Sequence, residues 1–225
     1  MGLARDEACV MDAVNSAVEA IEAGKLVILP TDTVYGLVCT AFSEQAAVDL
    51  YALKGRDGVQ PTALVAASVD TLLELIPELL RRSELIARAM FPGPYTLILP
   101  NPAQRFRWLT GGSPDTIGVR VPILEPPSRS VLDRVGAIVA SSANAPGGTD
   151  PRRLDEVPIA MRAGVAVSLD GGTLPGTPST VIDVTGADPV VLRDGAGNVP
   201  TAFDRIAKAL TQSLPPDDGL LTPRA

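Results

Sequence analysis

Two cations one residue apart, Lys54 and Arg56, close a helix-forming segment, and two arginines, Arg120 and Arg193, end short apolar runs. Hydroxyl and amide side chains gather at two other points. Thr31, Asp32, Thr33 and Tyr35 precede Gly36, and Ser141, Ser142 and Asn144 precede Gly147. Guanidinium forks together with hydroxyl and backbone donors are what phosphates and carboxylates need. As a set these residues point to a pocket for a polyanion. Singly, each has a plainer explanation: Thr and Asp cap elements or shape turns, cations suit the last turn of a helix, and arginines form surface salt bridges. The 225 residues include no histidine. That removes Ser-His-Asp and Cys-His nucleophiles and most zinc sites. No Walker A and no strand-coupled Gly-x-Gly-x-x-Gly is present. Any chemistry must therefore run on Lys, Arg, carboxylates, hydroxyls and backbone N–H groups.

The elements that must position these groups follow from pattern. Leu26 to Leu29 is a short apolar run without alternation, as in a strand buried on both faces, and Pro30 should stop its ladder. The polar turn after it then lies at the strand's C-terminal edge, where open α/β sheets bind ligands. Helices are expected over 12–23, over 43–54 with Ser43 as cap, over 69–75 with Ser68 as cap, and over 78–90, 127–135, 154–161 and 202–210. Further strands are expected over 62–67, 95–100, 116–122, 137–140, 165–169, 179–184 and 190–193, with 104–113 a polar loop. In the strand over 116–122, Thr116 and Arg120 share a face. Ala137 to Ala140 repeats the earlier design, an apolar strand running into small polar residues and a Gly turn.

With 46% apolar against 20% charged residues the chain can bury a real core, and its 20 Gly and 21 Pro sit at turns, which reads as a loop-rich α/β protein. A net charge of −7 argues against a broad nucleic-acid footprint but leaves room for a local basic pocket. Cys9 and Cys39 have no metal-ligand spacing and read as inert thiols of a reducing compartment. With neither a secretory leader nor a membrane-length apolar run in the sequence, the expected location is the cytoplasm. The expected organisation is one catalytic domain over 10–212 and a frayed tail over 213–225.

Six motifs in order carry a resemblance. Pro30-Thr31-Asp32-Thr33-Val34-Tyr35-Gly36-Leu37, Lys54-x-Arg56, Phe91-Pro92-Gly93-Pro94-Tyr95-Thr96, Arg120-x-Pro122, Ser142-Ala143-Asn144 and Pro178-Ser179-Thr180-Val181-Ile182-Asp183 resemble the YrdC-like L-threonylcarbamoyl-AMP synthases. The resemblance implies a twisted, open, mixed α/β sheet flanked by helices around a deep basic cavity. It implies an enzyme that makes threonylcarbamoyl-AMP and pyrophosphate from L-threonine, bicarbonate and ATP with Mg2+. A separate transferase complex would use the product on adenosine 37 of tRNA, without direct tRNA binding by this chain. Carried over by position, Thr33, Tyr35, Arg120 and Ser179 resemble the threonine site. Lys54, Arg56, Gln60, Thr116, Ser142, Asn144 and Arg193 resemble the ATP site, with Lys54 and Arg56 the catalytic pair and no protein metal ligand assigned. The chain departs from the family pattern at Gln60, Thr62 and Val65, and Val65 offers no hydrogen bond where the family often has histidine. Val38 and Pro146 are further departures. Two other readings stay open: an RNA-binding domain without catalysis, and a carbamoyl-adenylate-forming enzyme for another substrate.

Overall fold

Short strands that are apolar at nearly every position demand cover on both faces of a sheet, and the structure supplies most of it. The structure, a computed structural model, describes residues 3–56 and 60–212. The strands are β1 (Val27–Pro30), β2 (Tyr35–Thr40), β3 (Ala63–Ala66), β4 (Tyr95–Pro100), β5 (Thr116–Arg120), β6 (Ala137–Ser142), β7 (Val167–Ser168), β8 (Thr180–Asp183) and β9 (Val190–Arg193). They form one mixed sheet in the order β7-β1-β2-β6-β3-β5-β4-β8-β9. The helices are α1 (Leu3–Glu22), α2 (Glu44–Lys54), α3 (Val69–Leu75), α4 (Arg82–Met90), α5 (Ser128–Val135), α6 (Ile159–Ala163) and α7 (Val199–Gln212).

Alternation sorts the strands between two apolar layers. Ile28, Leu37, Leu64, Leu97 and Ile182 pack with Leu50 of α2, Ile86 and Met90 of α4 and Ile206 of α7. Val27, Leu29, Val38, Val65 and Ile138 face the other way and pack with Val14, Val18 and Ile21 of α1 and Val131 and Leu132 of α5. The second layer is incomplete. Helices α1 and α5 cover its β1-β2-β6 side, and the β5-β4-β8 part of that face is left as the floor of a cavity.

Several elements differ from expectation. The polar turn over 31–34 does not end the unit. Thr31 Oγ1 accepts from the N–H groups of Thr33 and Val34 at 3.2 Å, and the chain returns as β2, antiparallel to β1. Pro30 does not stop the ladder but occupies its last register position, opposite Tyr35. The β2 signal was hidden because Tyr35, Gly36 and Thr40 dilute an otherwise apolar run. Helix α4 starts four residues later than expected, after Arg81 takes a left-handed φ of 52°. The segment over 154–161 splits at Pro158 into a 3-10 turn (Leu154–Glu156) and α6. The loop over 104–113 holds a 3-10 turn (Arg107–Leu109), tied down by the Tyr51 hydroxyl, which donates to Trp108 O at 2.8 Å. Cys39 is buried, which pushes its thiol up to about 12 and makes it inert. The side chain of Cys9 and the expected tail over 213–225 lie outside the described residues. Among the described residues no helix is long and apolar enough to cross a membrane.

Candidate active site

Local structure sets the first cationic group. Ser43 caps α2, its hydroxyl accepting from Ala46 N at 3.2 Å. The helix ends where Gly55 adopts φ 66°, a left-handed turn that glycine takes without penalty. Gly55 N–H then donates to Ala52 O and Arg56 N–H to Tyr51 O, which leaves Lys54 in the last turn with Arg56 beside it. Lys54 is only 7% exposed. Its Nζ donates to Ser142 O, to Asn144 O at 3.1 Å and to Asn144 Oδ1 at 2.9 Å. Ser142 Oγ adds a 2.7 Å bond to the same Oδ1, while Asn144 Nδ2 donates to Gly148 O at 2.6 Å. Lys54 is thus both a charge and the pin of the loop after β6. Burial, and then the neighbouring Arg56, push its pKa down to about 8, with Asp150 opposing them. Arg56 Nη2 donates to Pro61 O at 2.7 Å.

The second group lies at the ends of β5 and β9, just before β8 and on the turn between β1 and β2. Arg120 Nη2 pairs with an oxygen of Asp32 and donates to Thr33 Oγ1 at 3.2 Å. The two side chains of this pair are 12% and 10% exposed, so it is a buried ion pair. Burial lifts the Asp32 pKa and lowers that of Arg120, and each charge opposes the shift of the other. Arg120 Nε is buried without a hydrogen-bond partner, and Asp32 Oδ2 has none of strict geometry, although the nearby Ile123 N–H helps to hold the Asp32 pKa down against burial. Arg193 folds back on Ser179, donating from Nε and Nη2 to its carbonyl at 3.1 and 2.8 Å and from Nη2 to its hydroxyl at 3.2 Å. The hydroxyls of Ser179 and Thr96 share a 2.8 Å hydrogen bond.

These groups meet in one cavity of about 530 Å³, within the range of small-molecule sites. Thr33, Lys54, Arg56, Gln60, Arg120, Ser142, Asn144, Ser179 and Arg193 all line it, against the single carboxylate of Asp150 among the described lining residues. Gly118 lies on the floor, where a Cβ would meet Ile98 Cδ1 at 3.4 Å. The chain is acidic overall, yet four cations converge here.

Two expected residues are not brought together with the rest. Tyr35 points its ring into the apolar layer on the opposite face, and its hydroxyl donates to Asp170 Oδ1 and Gly172 O at 2.9 Å while accepting from Gly171 N. Period two dictates this, because Gly36 takes the cavity side of β2. The Tyr35 backbone serves the site instead: its carbonyl accepts from Ala143 N at 2.8 Å and its N–H donates to Pro151 O at 2.9 Å, closing the base of the 143–151 loop. Thr116 shares the Arg120 face but sits at the far end of β5, outside the lining, with its hydroxyl donating to Ser113 O at 3.3 Å. Conversely, Thr31, Thr62, Thr96 and Asp150 also line the cavity, and Asp32 stands behind Arg120, although the resemblance assigns none of them to a substrate. Thr96, a lone hydroxyl within an apolar strand, carried a usable signal. Asp150, in a Gly- and Pro-rich loop, carried none.

Comparison with known proteins bears on the family and the fold. Residues 19–195 match the Sua5/YciO/YrdC family profile, described as "Telomere recombination". The "Putative threonylcarbamoyl-AMP synthase" of Mycobacterium tuberculosis is 36% identical over 87% of this chain and 88% of its own length. Among solved structures, P. abyssi Sua5 complexed with L-threonine superposes with a TM-score of 0.74 at 34% identity, covering 88% of this chain and 57% of that one. E. coli YciO superposes with the same TM-score, 0.74, at 27% identity, covering 84% of this chain and 91% of that one. The match to the Pyrococcus protein therefore spans little more than half of its length. With a family profile matched over most of the chain, relatives above 30% identity and the same fold, the chain belongs to the Sua5/YciO/YrdC family.

Proposed function

We propose that this protein makes threonylcarbamoyl-AMP and pyrophosphate from L-threonine, bicarbonate and ATP. The observation that carries the reading is the convergence of two anion-binding groups on one cavity. One lies around Lys54 and Ser142 beside β6, the other around Ser179 and Arg193 at β8 and β9. Four inter-strand spacings, roughly 19 Å, separate β6 from β8, which leaves room for two substrates side by side.

The chemistry suits a site without histidine. The amine of threonine adds to carbon dioxide derived from bicarbonate, giving a carbamate whose oxygen is already anionic. Its attack on the α-phosphorus of ATP expels pyrophosphate and needs no strong protein base at that step. The difficulty is electrostatic, because an anion approaches a tetra-anion. Lys54 and Arg56 offset that charge and orient the phosphates. Ser142 and Asn144, held by Lys54, position the nucleotide. Arg120, already aimed by Asp32 and Thr33, meets the threonine carboxylate, with Ser179 beside it.

The donor set also fits Mg2+ that arrives on ATP. Among the described residues no group of three metal-ligating side chains occurs, and Mg2+ in phosphate sites usually needs only one or two carboxylates besides phosphates and water. When bound, the ion would screen the phosphate charge. The product would pass to a separate transferase for tRNA, and the buried free thiol of Cys39 is compatible with a cytoplasmic location. The test is pyrophosphate release from ATP and labelled bicarbonate with L-threonine, with serine or without amino acid, followed by detection of the labelled mixed anhydride. Pyrophosphate release that does not depend on threonine would refute the reading.

A further inference from the structure

A carboxylate in a phosphate-binding cavity has the wrong sign. Asp150 is the one carboxylate among the described lining residues, against Lys54, Arg56, Arg120 and Arg193. Of those cations, Arg120 is already neutralised by Asp32 behind it. Asp150 takes part in no hydrogen bond or ion pair among the described residues; it acts on Lys54 through space, from beyond ion-pair distance. Nor is it carried on a loose segment. The next residue, Pro151, accepts from Tyr35 N at 2.9 Å, and Gly148 accepts from Asn144 Nδ2 at 2.6 Å, so the loop is tied to β2 and to the residue Lys54 pins.

Facing bare triphosphate, this fixed anion would repel the substrate that the surrounding cations attract. A divalent cation between carboxylate and phosphate reverses that sign, and a single carboxylate plus phosphate oxygens and water is an ordinary Mg2+ environment. We propose that Asp150 is this chain's handle on the divalent ion that accompanies ATP, a site completed only by the nucleotide. The proposal rests on the cavity being the ATP site. One carboxylate among several cations is too weak to hold the ion alone, so the protein without nucleotide takes up none. Asp150 would then bias the cavity toward the metal complex of ATP over the free nucleotide.

The test compares wild type with Asp150→Asn by calorimetric titration of ATP, once with chelator and once with Mg2+, and by the paramagnetic resonance of free Mn2+ with and without a non-hydrolysable ATP analogue. Asp150 is half-exposed on a loop, and thermal melts of both proteins verify the fold. In wild type, Mn2+ is captured only with the analogue, and Mg2+ strengthens ATP binding. In Asp150→Asn, ATP binds roughly 3- to 10-fold more tightly in chelator, and the gain from Mg2+ shrinks by roughly tenfold or more. An unchanged Mg2+ gain in the variant, or Mn2+ capture by the wild-type protein alone, overturns the proposal. If ATP affinity changes only through a shifted pH profile with the metal gain intact, Asp150 merely tunes Lys54 and the proposal is again overturned. Absence of ATP binding by wild type in either condition would instead defeat the functional reading on which it stands.

Discussion

Replacing Lys54 with methionine keeps the length of the side chain while removing its charge and its hydrogen bonds to Ser142 and Asn144. Two effects on stability oppose each other. The acceptors on Ser142 and Asn144 lose an ionic donor, but both residues are half-buried, so water replaces part of the loss, at about 1 kcal/mol per bond. Against this, the ammonium is itself desolvated, as its pKa of about 8 records, and an apolar side chain escapes that penalty. The net cost is about 1–2 kcal/mol, which for a domain of this size lowers Tm by roughly 2–8 °C. The binding effect is larger. A charged hydrogen bond to phosphate contributes about 1.5–3 kcal/mol, so ATP should bind roughly 10- to 150-fold more weakly. Threonine affinity should change little, since Arg120 ends β5 and Ser179 directly precedes β8, whereas Lys54 ends α2. Calorimetry of each ligand and a thermal melt separate the effects. A variant that stays folded and binds ATP within about twofold of wild type would refute the assignment of Lys54 to the phosphates. The same residue sets a pH dependence. In the free protein ATP affinity should fall as pH rises through about 8, where Lys54 loses its proton, and this inflection should vanish in Lys54→Met. The sign for stability is opposite. Because the folded pKa is lowered from 10.5 to about 8, the unfolded chain holds the extra proton between those values. The contribution of this group therefore becomes more favourable as pH rises through that window.

Asp32→Ala strips Arg120 of its buried counter-charge and should destabilise the fold by about 3–5 kcal/mol; Asp32→Ala with Arg120→Met should recover part of that loss in a chemical denaturation series, and no recovery would contradict the coupling. Tyr35→Phe removes the hydroxyl that joins Asp170, Gly171 and Gly172, so Tm should drop, by about 1–3 kcal/mol of stability, with the Kd for threonine unchanged within twofold or so; a large loss of threonine affinity at constant stability would return Tyr35 to the binding site. Gly118→Leu places a side chain on the cavity floor, beginning from a Cβ with only ordinary contacts. It should leave the melting curve near wild type yet abolish substrate binding, as titration would show.

Local pattern made much of the frame legible. Ser43 and Ser68 cap α2 and α3 as their positions before apolar-periodic runs require, and β4 spans Tyr95–Pro100 as expected. Where the pattern misled, two local signals competed. Tyr35, Gly36 and Thr40 obscured β2, and Arg81, with no sequence cue, ended the turn before α4. The candidate site was legible only as a set, because each cation or hydroxyl at a strand or helix end has an ordinary capping or turn role by itself.

What the sequence determined by itself was the chemistry on offer: no histidine, a few isolated cations, and hydroxyl-rich turns after apolar strands. What only the tertiary structure decided was the environment of each group. Arg120 is neutralised by Asp32, 88 residues away, and the Tyr35 hydroxyl is claimed by Asp170, 135 residues away. Asp150 is set among cations by a loop closed on Tyr35. The physical reason is range. Hydrophobic periodicity and capping act over a few residues, whereas charge pairing and burial depend on strand order, which no local stretch of the chain contains.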